Sequence, residues 1–218
     1  MHDALEIKDQ EPVSSGQAKD VYQHPTDPTV LVKVVKPTAR AGKRPAGMLF
    51  RLSRHWEYAT EIIEYLAAKE VAPDGAHYLE KVIGLADTDL GVGLMVKAIK
   101  TKEGGLAPTV FQLASTHGLS ETQHDALESI FDWVSSANLI VRDFSTNNLL
   151  WDEQAGHFVI IDGVGAKPAY SLRPFWRAYN IHSNRKKVGK LRSRVQNVLK
   201  TRSKNSGLGT EAQPAGGD

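Results

Sequence analysis

Three residues in the second half of the chain have the types and spacing of a reactive centre. The segment VRDFSTNNLLW, from Val141 to Trp151, leads into VIIDGVG, from Val159 to Gly165. Asp143 and Asn148 sit on a polar loop leaving an apolar run, and Asp162 ends a run of β-branched residues. Transfer of a phosphoryl group calls for a carboxylate beside the attacking hydroxyl, an amide oxygen on Mg2+, and a second carboxylate bridging metal and phosphates. The order D-x-x-x-x-N, hairpin, D-x-x-G supplies all three. Asp143 is therefore expected to be the catalytic carboxylate, and Asn148 and Asp162 the metal ligands. Taken singly, an Asp or Asn in a loop is a turn former; the signal lies in the combination.

Upstream, VSSGQAKDVY aligns with the glycine-rich pattern G-x-G-x-x-G-x-V as Ser14, Gly16, Lys19 and Val21, keeping only the central glycine. Lys33 lies inside the apolar run TVLVKVV and matches the strand lysine of V-A-I-K that contacts nucleotide phosphates. A lysine there is costly to bury unless paired. The next helical segment offers Glu57, Glu61 and Glu64. Glu57, in its first half, is the expected partner of Lys33, with Glu61 one turn further on as the alternative. These assignments imply ATP and Mg2+ as cofactors, with Ser14, Gly16, Val21, Lys33 and Glu57 on the nucleotide and Lys33 also catalytic.

The elements that must position these residues follow from periodicity and punctuation. Strand-like runs occupy PVSSGQAKDVYQH, TVLVKVVK, YLEKVIGLAD and GVGLMVKAI, the last two around a turn at Asp87 to Gly91. From Arg51 to Lys69 an amphipathic helix is expected, with Leu52, Trp56, Ala59, Ile62, Ile63 and Leu66 on its apolar face. A second begins at Ser120, whose spacing to Gln123 is that of a capping box, and carries Leu127, Ile130, Phe131 and Val134. Short strands are expected at Leu139 to Val141, Leu149 to Trp151 and Phe158 to Ile161. A basic helix between Pro174 and Lys200 has Val188, Leu191, Val195 and Val198 on one stripe. The fold class is thus α+β: an N-terminal antiparallel sheet lobe with one helix, about 10–97, and a truncated, mainly helical C-terminal lobe, about 98–202. The Gly, Ser and Pro-rich stretch 203–218 reads as a disordered tail.

Composition narrows the function classes. The 218 residues include no cysteine, which excludes disulfides and thiolate metal sites. Neither a signal-like apolar start nor a run long enough to span a bilayer is present, so the expectation is a cytoplasmic protein with no transmembrane segment. The net charge of +2 hides an asymmetry: residues 1–172 hold 16 Lys and Arg against 23 Asp and Glu, and residues 173–218 hold 11 against 2. Between Arg173 and Lys204 there is no acid, which makes that segment a candidate surface for an anionic partner.

Together, Asp143 with Asn148, Asp162 with Gly165, and Gly16 with Lys33 resemble the small bacterial YrbL family. That family is associated by name with the PhoP regulatory network and is similar to protein-kinase-like and lipopolysaccharide-kinase folds; the resemblance covers about 10–200. It implies a small bilobal kinase-like fold. Two positions depart from the kinase pattern, Val141 for the histidine of H-R-D and Gly163 for the phenylalanine of D-F-G, and neither removes a metal ligand. The short stretch after Asp162 lacks A-P-E, so a small molecule or the chain itself is expected as phosphoryl acceptor rather than a peptide. Two other readings stand beside the phosphotransferase: a pseudokinase serving as nucleotide-binding regulator or scaffold, and an anionic-surface or nucleic-acid binder acting through the basic segment. Nucleic acid is the less favoured partner, because Phe175, Trp176 and Tyr179 have the helical spacing of core residues.

Overall fold

A computed structural model describes residues 4–37, 55–165 and 176–207. Strands β1 (Ser14–Ser15), β2 (Lys19–Gln23), β3 (Val30–Val35), β4 (Val82–Thr88) and β5 (Gly91–Lys97) form one antiparallel sheet in the order β1-β2-β3-β5-β4. Val21 lies opposite Lys33, Lys19 opposite Val35, and Lys33 opposite Leu94. Since side chains alternate along a strand, these residues share one face. On the other face Tyr22, Val32 and Val34 are covered by the N-terminal segment, whose Ile7 is fully buried and whose Leu5 bridges Thr88.

Helix α1 (Trp56–Val71) packs on the first face, where Tyr58 joins Val35, Leu94 and Val96 and donates its hydroxyl hydrogen to the Lys33 carbonyl at 2.6 Å. Its orientation differs from the expected one. Ile63 and Leu66 are 60% and 57% exposed, whereas Glu61 and Glu64 are buried. The glutamates turn inward because each has a partner there: Glu61 meets Lys19, and Glu64 accepts the Ile140 amide. Paired charges thus override the hydrophobic period. The first residues of the expected helix, 51–54, lie outside the described residues.

Beyond β5 come α2 (Val110–Thr116), α3 (Glu121–Ser136), the hairpin of β6 (Leu149–Asp152) and β7 (His157–Ile160), and α4 (Arg177–Gly207). Ser120 and Gln123 form the expected capping box, and Thr109 with Gln112 forms a second at the start of α2, a helix the periodicity did not show. A shared core of Ile130, Phe131, Leu149, Phe158 and Leu191 holds this lobe together. The segment 139–141 is not a strand: among the described residues it forms a single bridge, Val141 with Val164. Helix α4 buries Val188, Leu191 and Val195 as expected and continues through Gly207, so the first five residues assigned to a tail are helical. Residues 208–218 lie outside the described ones.

Two asparagines of α4 are unexpected. Asn180 and Asn184, one turn apart and almost fully buried, both donate to the Leu139 carbonyl, at 3.0 and 2.7 Å; Asn184 also reaches the Ala137 carbonyl. Removing such a partner strands buried carbonyls. Asn184→Ala should cost about 2 kcal/mol in urea unfolding. Ile63→Lys, which the sequence pattern would have marked as disruptive, should stay within about 0.5 kcal/mol of the wild type.

Candidate active site

Lys19, the first residue of β2, follows the turn in which the Gly16 amide donates to the Lys19 carbonyl at 2.9 Å. Its side chain points from the sheet toward α1 and the second lobe. The ammonium lies 2.5 Å from Glu61 Oε1, 3.3 Å from Asp162 Oδ1 and 3.6 Å from Glu57 Oε2. Burial works against its charge, yet Glu61, Asp162 and Glu57 outweigh that and hold its pKa above the ordinary lysine value. Burial likewise opposes ionisation of Asp162, but Lys19, Lys33 and the Gly163 amide bring its carboxyl down to about 2. Both groups are charged at neutral pH.

Lys33 sits on the same face but does not take the partner expected of it. Its ammonium pairs with Glu80 and donates to the Ile161 carbonyl at 2.5 Å, while Glu57 and Glu61 converge on Lys19. The register explains the exchange. Lys33 stands between Val21 and Leu94 in the middle of the sheet, beside the bridge from Leu79 to Ile160, whereas Lys19 occupies the near end of β2. Lys36 leaves by the opposite face and pairs with Asp20 at 3.1 Å. Lys19 escaped notice in the sequence because it was read as the missing third glycine of the loop. Parity was the available signal, since residues 19 and 21 share a face.

The loop carrying Asp143 is fastened to the segment carrying Asp162 through the backbone. Arg142 and Asp143 donate their amides to the Gly163 carbonyl at 2.5 and 2.9 Å, and the Ile161 amide donates to the Asn148 carbonyl at 3.0 Å. Gly163 has φ 78°, and a Cβ there would overlap the Asp143 carbonyl, so the departure from phenylalanine is what lets the two segments touch. Gly165, at φ 93°, similarly abuts Thr60 of α1. Asn148 Nδ2 donates to Asp143 Oδ2 at 3.2 Å and to its carbonyl at 3.1 Å, holding the exposed carboxylate in place. Arg142 reaches Glu57 at 3.7 Å, and Lys187 of α4 donates to the Arg142 carbonyl at 2.8 Å. Val141, where a bracing histidine was missing, is buried in the core, and Asn180, Asn184 and Lys187 brace the segment instead.

Asp143 and Asn148 are thus bonded to each other, their loop is tied through the backbone to the segment of Asp162, and Lys19 joins Asp162. The donor set is all oxygen: the Asp162 carboxylate, whose side chain is 40% exposed, and the Asn148 amide oxygen, whose nitrogen is committed to Asp143. Such a set suits Mg2+, which keeps several waters and takes one or two carboxylates plus substrate phosphates. Among the described residues no group of three or more His, Cys, Asp or Glu side chains forms an all-protein metal cage. Ser14 and Gly16 lie exposed at the turn, and Val21 lies on the sheet face shared with Lys33.

Burial raises the Glu80 carboxyl to about 7, only partly offset by Lys33. The folded chain therefore retains a proton that the unfolded chain releases near 4.5, and stability from this group is present below that value and lost as pH rises to about 7. The unfolding free energy of the wild type should fall by about 2 kcal/mol more than that of Glu80→Gln between mildly acidic and mildly alkaline buffer. Urea titrations across that range check it.

The chain shares 17% identity with the structure titled PpkA-294 apo form, over 87% of this chain and 63% of that one, with a TM-score of 0.45. With a mutant of the Mycobacterium tuberculosis PknI kinase domain it shares 20%, over 73% and 60%, at a TM-score of 0.42. It spans less than two thirds of the length of either. No curated protein matches it. The family described as PhoP regulatory network protein YrbL matches residues 5–196, nearly the whole of both lobes, and the chain belongs to that family.

Proposed function

We propose that this chain is an ATP- and Mg2+-dependent phosphotransferase whose acceptor is a small molecule or the chain itself. One observation carries the reading: the Lys19 ammonium bonds Asp162 and Glu61 together, beside a loop that presents an exposed Asp143 carboxylate held by Asn148. Lys19 is the better placed of the two lysines to hold a nucleotide phosphate, because it joins the α1 glutamates to Asp162, whereas Lys33 pairs with Glu80 and a backbone carbonyl. Glu61, with Glu57 behind it, fixes the Lys19 ammonium, and the turn at Gly16 lets backbone approach the phosphates. Asp162 and Asn148 hold Mg2+, which when bound neutralises charge on the phosphoryl group in transit. Asp143 orients the acceptor hydroxyl and takes its proton. Only ten residues, 166–175, separate Gly165 from the approach to α4, which leaves little chain for a peptide-binding platform.

Thermal shift with a non-hydrolysable ATP analogue, with and without Mg2+, tests the binding half. Asp162→Asn should abolish the Mg2+-dependent shift, because a neutral amide does not replace the carboxylate charge. Lys19→Met should lose more of the nucleotide shift than Lys33→Met; the reverse order would return the phosphate contact to Lys33.

Asp143→Asn should bind Mg2+ and nucleotide as the wild type does, yet lose about 10²- to 10⁴-fold in ATP hydrolysis or autophosphorylation. A wild type that binds the nucleotide but turns over no faster than Asp143→Asn would be a pseudokinase.

A further inference from the structure

A cavity of about 440 Å³ lies behind the site. Three extended segments build it with alternate residues: Leu79 and Lys81, Lys97 and Ile99, His157 and Val159. Neighbours along an extended chain point to opposite sides, so Leu79 and Lys81 face away from Glu80, which holds Lys33 in the cleft. The cavity and the cleft therefore share a wall and open on different sides of it.

The lining is strongly one-sided in charge. Lys69, Lys81, Lys97, His77 and His157 contribute to it, against Asp152 alone. That carboxylate is committed to its own turn, where its Oδ1 accepts the Gln154 and Ala155 amides at 3.1 Å. Among the described residues none of the three lysines forms an ion pair; Lys69 lies over the Tyr65 ring, 5.1 Å from its centroid. Lys81 and Lys97 are neighbours across the β4–β5 ladder, joined by the hydrogen bond from the Lys97 amide to the Lys81 carbonyl at 2.9 Å. Like charges facing each other on a sheet are destabilising. The two histidine rings meet edge to face at 4.7 Å, and burial, then His157, holds the His77 pKa below its ordinary value, so the lysines carry the charge. The volume falls in the range of small-molecule sites.

We propose that this cavity binds a small phosphate-bearing molecule, its phosphate held between Lys81 and Lys97 at the β4–β5 edge with Lys69 adding a third positive charge to the lining. Lysine suits phosphate as a point charge, and the apolar floor of Leu79, Ile99 and Val159 leaves room for the rest of the ligand.

The test titrates the full chain calorimetrically with inorganic pyrophosphate, and in parallel with phosphatidylcholine vesicles with and without phosphatidic acid. The double variant Lys81→Gln with Lys97→Gln, both exposed and therefore foldable, should weaken pyrophosphate binding at least ~10-fold, as expected for loss of two charge-assisted contacts. A charge-matched control on α4, Lys190→Gln with Lys200→Gln, both exposed and outside the cavity, should leave it unchanged. Vesicle binding that needs phosphatidic acid and is lost in the double variant would identify a lipid headgroup as the source of the phosphate. Pyrophosphate binding that survives the double variant, that falls equally in the α4 control, or that is absent from the wild type would overturn the proposal.

Discussion

A lysine ammonium surrounded by three carboxylates governs the arrangement of both lobes. Lys19 is donated by the sheet, Glu57 and Glu61 by α1, and Asp162 by the strand end that leaves the β6–β7 hairpin. Lys19 and Glu61 are too costly to bury alone, and removing either leaves the other uncompensated at a cost of about 3–5 kcal/mol. The sheet, the helix and the hairpin are therefore held in one relative position by a requirement that is electrostatic before it is apolar. Lys33 with Glu80 and the Ile161 carbonyl repeats the tie a short way along the same face. Apolar packing then fills in around these contacts, with Tyr58 joining α1 to the sheet and Ala68 joining it to the core of the second lobe.

The same cluster explains why α1 was read with its faces exchanged. Hydrophobic periodicity assumes that apolar residues seek the interior, and Ile63 with Leu66 satisfied that pattern convincingly. Glu61 and Glu64 occupy the interior because their partners, Lys19 and the Ile140 amide, come from segments far away in the sequence. Local reading has no access to such partners. By contrast, Asp143, Asn148 and Asp162 were legible because the loop and hairpin that join them are themselves local, with spacing fixed by the chain. The capping box at Ser120 was legible for the same reason. Its counterpart at Thr109 was equally local, but α2 is a helix of seven residues, too short to display a period.

Lys19 and the α4 asparagines mark two further limits. A template with glycine at position 19 hides whatever else that residue could do, and what it does depends on the β2–β3 register that places it beside α1. Asn180, Asn184 and Lys187 looked like part of a basic, solvated helix, and charge counting offers no hint that one of its faces is an acceptor-seeking edge. Their role appears only once the irregular segment 137–142 is seen to lack a strand partner along most of its length. Its Ala137, Leu139 and Arg142 carbonyls need donors, and α4 brings three side chains with the right reach.

That dependence sets an order of events during synthesis. Chains emerge from the ribosome N-terminus first, and the sheet lobe, with α1 and β4–β5, can associate while the rest is still being made. The loop at Asp143 cannot be fixed then, because the side chains that hold its approach belong to α4, which is made after it. Asp143 and Asp162 would thus remain unfastened on a nascent chain until that helix is made. The Asp143 loop is fixed in one late step, when α4 docks.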